Sequence, residues 1–227
     1  MRRTVDVVVG ALAGLLLAPV AGVVALAIRL RHGPPVLFRQ VRAGRHGEPF
    51  TILKFRTMRP ERFPGQPDAD RLTALGRRLR STSLDELPQL WNVLRGEMSL
   101  IGPRPTLPEQ VVHYSARQRG RLAVRPGLTG WAQVRGRNAL SWPERIELDL
   151  WYLANRSLLL DLRIVALTAA RLLRPTGVTG AGGVNPGFPH PAPPPAPPSL
   201  SPPAPPPVPP PRTAAPPPPH PVRGGTP

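Results

Sequence analysis

The sequence predicts an α/β chain of the mostly helical α+β kind. It should have an N-terminal membrane helix, a small basic domain with one short β-hairpin and amphipathic helices, and a disordered tail. Three observations predict this. Residues 7–28 carry no charge. Two short runs rich in β-branched and aromatic residues follow, separated by glycines 44 and 47, and leucines at helical spacing come after them. Finally, 23 of the 36 prolines lie at or beyond Pro175. The expected boundaries are 1–32, 33–174 and 175–227.

The apolar run, VVVGALAGLLLAPVAGVVALAI, is bracketed by Arg2 and Arg3 before it and by Arg29 and Arg31 after it. At about 1.5 Å per residue, a straight helix of this length covers roughly 33 Å, enough to cross a bilayer core. Pro19 removes one helical hydrogen bond and clashes with the carbonyl four residues back, so a bend near Ala18 and Pro19 is expected. A bent segment can dip into one leaflet and return, keeping both arginine clusters at cytoplasmic headgroups. A simple span is the rival, because neighbouring groups can repair a proline break in a membrane helix. The run is too long for the apolar core of a secretory signal peptide.

Residues 33–58 read as the hairpin and 59–70 as a loop with three prolines. Leu72, Leu75 and Leu79 mark a short basic helix over 71–80, and a second helix covers 88–94. The Pro-Gly-rich stretch 101–105 is a turn, and 108–122 a further helix. Residues 125–138, RPGLTGWAQVRGRN, read as a glycine-rich loop. Residues 143–173 form a long apolar helix or helix pair. Trp151, Leu158, Leu159, Leu160, Ile164 and Leu167 supply its greasy surface, which either packs in the core or meets lipid.

The chain carries a formal charge of +17, and Lys54 is its only lysine. Such a field suits an anionic partner: nucleic acid, an acidic membrane surface or a phosphorylated small molecule. The absence of cysteine excludes disulfide scaffolds and thiolate metal sites and fits a cytosol-facing protein. No Walker sequence, GxGxxG or zinc-type histidine cluster is present. The tail holds only Arg212 and Arg223 as charged groups, and its PAPPPAPP and PPAPPPVPPP runs favour extended polyproline II without a core.

The stretch STSLDELPQLWNVLRGEMSLIGPRP, residues 81–105, concentrates the chemistry. Asp85 and Glu86 stand just before a helix whose first position suits Pro88. One reading is a capping box between Ser83 and Glu86. The other is catalytic: a helix N-terminus favours ionised carboxylates and phosphate, and one or two carboxylates suffice for a magnesium ion when substrate phosphates supply other ligands. Arg80 and Arg104, the latter in the restricted GPRP sequence, could aim guanidinium forks at phosphate. Lys54 and Arg56, alternate residues of KFRTM, point the same way from one strand face and could bind substrate phosphate or, equally, lipid headgroups. Asp149 and Asp161 are expected to make structural ion pairs or cap contacts.

The apolar N-terminal segment, KFRTM, LDELPQLWNVLRGEMSLIGPRP, RPGLTGWAQVRGRN and LDLWYLANRSLLLDLRIVALT together cover residues 1 to about 170. In these stretches the chain resembles the bacterial sugar transferase family, the monotopic polyprenyl-phosphate phosphoglycosyl transferases that initiate exopolysaccharide, O-antigen or glycoprotein glycan assembly. The resemblance implies a catalytic Asp85–Glu86 dyad with Mg2+ at Asp85. It implies a UDP-sugar donor and a polyprenyl phosphate acceptor, typically undecaprenyl phosphate. It also implies a re-entrant helix broken at Pro19, with the catalytic domain of residues 33–174 on the cytoplasmic face of the inner membrane. The reaction expected is phosphosugar transfer with release of UMP, in ping-pong fashion through a phosphosugar on Asp85, with Glu86 managing the acceptor's proton. A chain starting at the hairpin looks like a minimal catalytic-core form.

Two departures stand out: Ala18 precedes the helix-breaking proline where serine is frequent, and Arg135 occupies a position where asparagine is expected. The tail lies outside the resemblance and could recruit other pathway glycosyltransferases; its own partner is unknown. The rival classes are a non-enzymatic basic membrane-surface or nucleic-acid-binding protein, a secreted protein with a cleaved signal, and an inactive relative. The absence of a nucleic-acid-binding motif argues against nucleic acid as partner. The intact Asp85, Glu86, Arg80 and Arg104 argue against loss of activity. The identity of the sugar is not legible in the residues.

Overall fold

The computed structural model describes residues 2–136 and 140–173; the proline-rich tail expected at 175–227 lies outside the described residues. The hairpin forms as expected. Strands β1 (Leu37–Ala43) and β2 (Pro49–Phe55) pair antiparallel, from Leu37 opposite Phe55 to Ala43 opposite Pro49. The chain reverses through the 3-10 turn Arg45–Gly47, where His46 (φ 59°) and Gly47 (φ 86°) both take the left-handed conformation.

Two helices follow the hairpin: the short α2 (Asp68–Arg71), which carries two aspartates and begins within the stretch expected as loop, and the basic α3 (Ala74–Thr82), which corresponds to the basic helix expected over 71–80. The Thr73 side chain caps α3 by accepting from the Gly76 amide at 2.9 Å. Gly76 itself is required by proximity: a Cβ there would sit 1.9 Å from the Thr57 carbonyl oxygen. Helix α3 therefore lies hard against the backbone just past β2.

Helix α4 (Gln89–Arg95) starts after Pro88 and stops at Gly96, whose φ of 84° only glycine adopts without strain. Buried Asn92 docks it on β2, donating to the Thr51 carbonyl at 2.8 Å and accepting from the Leu53 amide at 3.1 Å. Ile52, Val93 and Met98 close a small core between them.

Two further expected segments differ from the structure. The single helix over 108–122 is instead α5 (Pro108–Val111), α6 (Ala116–Arg119) and a 3-10 turn Gly120–Ala123. Ser115 interrupts it by capping α6 in a box with Gln118, since a capping residue begins a new helix instead of continuing the old one. The glycine-rich loop over 125–138 contains strand β4 (Gly127–Thr129) and helix α7 (Trp131–Arg135). Strand β4 runs parallel to β3 (Ser99–Ile101), with Ser99 opposite Gly127 and Ile101 opposite Thr129. Three-residue strands give no period to read, and the glycines serve closeness: a Cβ on Gly127 would lie 2.1 Å from the Gly102 nitrogen.

The C-terminal stretch is a helix pair, α8 (Trp142–Ala154) and α9 (Leu158–Leu173), with α8 started by a Ser141–Glu144 capping box. Its apolar surface divides. Leu160, Ile164 and Tyr152 are buried with Trp131 and Val134, and Leu167 packs against them. Trp151, Leu158, Leu159, Leu162 and Val165 remain exposed.

Helix α1 (Arg2–His32) is one continuous helix that includes Pro19, and it is long and apolar enough to cross a membrane. Both of its ends pack on the domain. Near the start, Arg3 donates to the Val93 and Leu94 carbonyls that end α4, and Asp6 accepts from Ser99 Oγ and the Leu100 amide, each at 2.9 Å. Near the finish, Val24 and Ile28 enter a core with Phe55 and Leu79. Between them Leu12, Leu15, Leu16, Leu17 and Val20 are exposed.

Candidate active site

The carboxylate pair lies in a 3-10 turn, Leu84–Glu86, between α3 and α4. Ser83 opens this turn in the left-handed conformation (φ 57°) and makes no side-chain cap, so the capping-box reading fails. That sharp reversal lets Leu84 and Leu87 pack on the Phe55–Leu79 core while the intervening carboxylates turn towards the basic residues.

Asp85 and Glu86 are adjacent but live in opposite environments. Glu86 Oε1 accepts from Lys54 Nζ at 2.7 Å and from Arg104 Nη2 at 2.9 Å. Burial pushes its carboxyl up, but Arg104 and Lys54 more than offset this and hold it well below the usual carboxylate range. Asp85 is 7% exposed and, among the described residues, receives no hydrogen bond. Burial, reinforced by the Glu86 charge, raises it from 3.8 to about 6 despite Lys54, Arg104 and Arg80 nearby. One carboxylate is thus locked into ion pairs, while its neighbour is desolvated and unpartnered.

The basic side chains have distinct anchors. The Lys54 ammonium is lowered by burial, against the pull of Glu86. Arg80 donates from Nε to Thr57 Oγ1 at 3.1 Å and contacts Met58 sulfur at 2.8 Å, so α3 and the end of KFRTM set its position. Arg104, half-exposed, projects from a loop fastened on three sides. Gly102 bonds Thr129, the Pro103 carbonyl accepts from Gly127, and the Thr106 carbonyl accepts from Ala43. A fourth tie comes from Arg121, which donates to the Arg104 carbonyl at 3.1 Å.

Arg56 goes elsewhere. Its guanidinium donates to the carbonyls of His32, Gly33 and Pro34, fastening the link between α1 and β1. The structure therefore brings Asp85, Glu86, Lys54, Arg80 and Arg104 together and places Arg56 at the linker. Asp149 and Asp161 make the expected structural pairs. Buried Asp149 accepts from Arg121 at 2.5 Å, and Asp161 pairs with Arg2 at 3.2 Å and accepts from Tyr152 Oη at 2.7 Å.

Sequence reading missed Arg121 and Arg42. Arg121 lies in a stretch read as plain helix. Arg42 can be seen only through the strand register, which sets it with Gln40 and Lys54 on one hairpin face.

The family model described as bacterial sugar transferase matches residues 1–175. The chain belongs to the bacterial sugar transferase family. Among its relatives is a Bacillus subtilis protein named uncharacterized sugar transferase EpsL, 53% identical over 154 residues, which are 66% of this chain and 76% of the relative. A Caulobacter vibrioides protein named UDP-glucose:undecaprenyl-phosphate glucose-1-phosphate transferase is 48% identical over 185 residues, 76% of this chain and 69% of the relative. An Escherichia coli protein of the same name is 40% identical over 181 residues, which are 74% of this chain but 39% of that longer relative. The residues matched by the family model include the whole carboxylate and arginine cluster.

As for the magnesium ion that the family resemblance implies, the donor set fits in one way. Glu86 is committed to Lys54 and Arg104, whereas the Asp85 oxygens have no protein partner among the described residues. A single carboxylate together with substrate phosphates is an adequate ligand set for Mg2+.

Proposed function

We propose that this enzyme transfers a phosphosugar from a UDP-sugar to a membrane polyprenyl phosphate, releasing UMP and forming polyprenyl diphosphate sugar. UDP-glucose is the first donor to test, since it appears in the names of several relatives. The observation that carries the reading is the asymmetry of the pair: a buried, unpartnered Asp85 beside a Glu86 locked between Lys54 and Arg104.

The chemical problem is attack on a diphosphate by anions, so positive charge and orientation must come from the site. Arg80, Arg104 and Lys54 would bind phosphate oxygens, and magnesium held at Asp85 would supply further neutralising charge. Asp85, with its carboxyl raised to about 6, is mostly ionised near neutral pH yet more nucleophilic than a solvated carboxylate. Its oxygen attacks the sugar-bearing phosphorus, the bond to the nucleotide phosphate breaks, and UMP departs. A polyprenyl phosphate oxygen then attacks the same phosphorus and returns the Asp85 carboxylate. Glu86, so strongly ionised, is a poor proton acceptor while paired. Phosphate binding at Arg104 and Lys54 would free it and raise its basicity for the acceptor step.

The acceptor's hydrocarbon chain stays in the bilayer, so the site has to lie at the membrane surface. We read α1 as re-entrant, with the domain on the cytoplasmic face. A straight helix would hold Arg3 and Ile28 about 38 Å apart. Yet Arg3 grips Val93 and Ile28 lies in the core cluster that holds Phe55, and Val93 and Phe55 are joined through the Asn92–Leu53 hydrogen bond and two strand residues. This supports a bend at Pro19. The contacts of Arg2, Arg3 and Asp6 also weigh against a cleaved signal peptide, because cleavage would strip partners from α4, β3 and Asp161.

The test is release of UMP by the membrane-embedded protein with magnesium, undecaprenyl phosphate and a panel of UDP-sugars. UMP from one donor, lost in Asp85→Asn, is expected. A folded, bilayer-bound protein that releases none from any nucleotide sugar would favour a basic membrane-surface binding protein instead.

A further inference from the structure

We propose that Arg42, oriented by Gln40, binds the phosphate of the departing nucleotide beside Arg104. Strand register puts Arg42 opposite Phe50 and Gln40 opposite Ile52, on the face that also carries Lys54. The next residue, Ala43, bonds Thr106 at 2.8 Å, which draws this end of β1 against the loop bearing Arg104. Arg42 Nη2 donates to Gln40 Oε1 at 2.6 Å, fixing the fork.

What remains of that fork is unspent. Arg42 Nε is buried without an acceptor, and among the described residues Arg42 makes no ion pair. Glu86 and Glu109 act on it only at a distance, while the Arg104 charge acts against it. Two guanidinium groups near one another, with Glu86 already committed to Lys54 and Arg104, form an arrangement that an anion would relieve.

Position along the hairpin assigns the phosphate. Lys54 faces Phe38, and Arg42 lies four strand positions further along the same face, about 13 Å away. Arg104 meets Glu86 beside Lys54 and belongs to the loop tied to Ala43, so Arg42 lies further along the hairpin from the carboxylate pair than Lys54 does, on the side of the Arg104 loop. The inference rests on the transfer reaction proposed above, in which the leaving phosphate lies across the reacting phosphorus from the attacking oxygen.

Ping-pong kinetics separate the two half-reactions, because kcat/KM for the donor reports only the first and kcat/KM for the acceptor only the second. Arg42→Gln should lower the donor constant about 10- to 100-fold, the effect of losing a charge-assisted hydrogen bond. The acceptor constant should stay unchanged, and Arg42→Lys should recover part of the loss. Calorimetric titration with UMP should show the same weakening for Arg42→Gln. An unchanged donor constant, or donor and acceptor constants falling together in both variants, would overturn the assignment. If wild-type protein binds UMP, Arg42→Gln loses it and no UDP-sugar is turned over, the site stands and the transfer reaction fails.

Discussion

Replacing Asp85 by asparagine should make the protein more stable. Asp85 is buried beside a second carboxylate, and its carboxyl is raised from 3.8 to about 6. A group whose folded pKa exceeds its ordinary value favours the protonated folded state, so ionising it opposes folding. Below about pH 4 both folded and unfolded chains hold the proton, and Asp85 costs nothing. Between about pH 4 and 6 the unfolded chain releases it first and the cost grows; above about 6 it is constant. Roughly two pH units at about 1.36 kcal/mol each set a ceiling near 3 kcal/mol. Asparagine mimics the protonated acid, so Asp85→Asn should gain about 1–3 kcal/mol at pH 7.5, or roughly 2–12 °C in apparent Tm. The assay is tryptophan-fluorescence melting of the full chain in nanodiscs with EDTA, at pH 4 and pH 7.5. Equal Tm values at pH 7.5, or a gain already complete at pH 4, would refute the claim that burial of the charge is what raises Asp85.

The neighbouring carboxylate should behave oppositely. Glu86→Gln removes a charge that holds Lys54 and Arg104, so it should cost about 1–3 kcal/mol at neutral pH. Because the Glu86 carboxyl is held below its ordinary value, that cost should shrink as pH falls well under 4.5. Melting at pH 7 and pH 3.5 reads the difference. Asp149→Asn breaks a buried pair with Arg121 and should cost about 3–5 kcal/mol, while the double change Arg121→Met with Asp149→Leu should recover much of it, as tested by denaturant titration. The chain has no cysteine, so single cysteines at Thr4 and Arg31 can report topology. In inside-out vesicles, where the cytoplasmic face is outermost, an impermeant maleimide should label both. Labelling of one only would mean that α1 spans the bilayer.

The hairpin and the helices over 74–95 were legible because glycines 44 and 47, helical leucine spacing and Pro88 each impose a local rule. The carboxylate pair and Arg104 were legible for a different reason: charged residues stand among prolines and glycines that leave the backbone few choices. Arg56 was misleading, since strand alternation gives a side chain's face but not what waits there, and three linker carbonyls took its guanidinium. Strands β3 and β4 escaped because parallel pairing of three-residue strands depends on contacts between distant segments. Arg42 escaped because its partners come from register, and Asp6 because a lone acid beside an apolar run gives no sign that Ser99 and Leu100 will receive it.

The proposed route carries the phosphosugar on Asp85. Membrane-embedded protein mixed with magnesium and its UDP-sugar, without polyprenyl phosphate, should release about one UMP per chain and gain the mass of one phosphosugar on the peptide containing Asp85. Adding acceptor should remove that mass. Turnover with acceptor present, but neither UMP nor any adduct in its absence, would contradict the covalent route and leave direct attack by the acceptor.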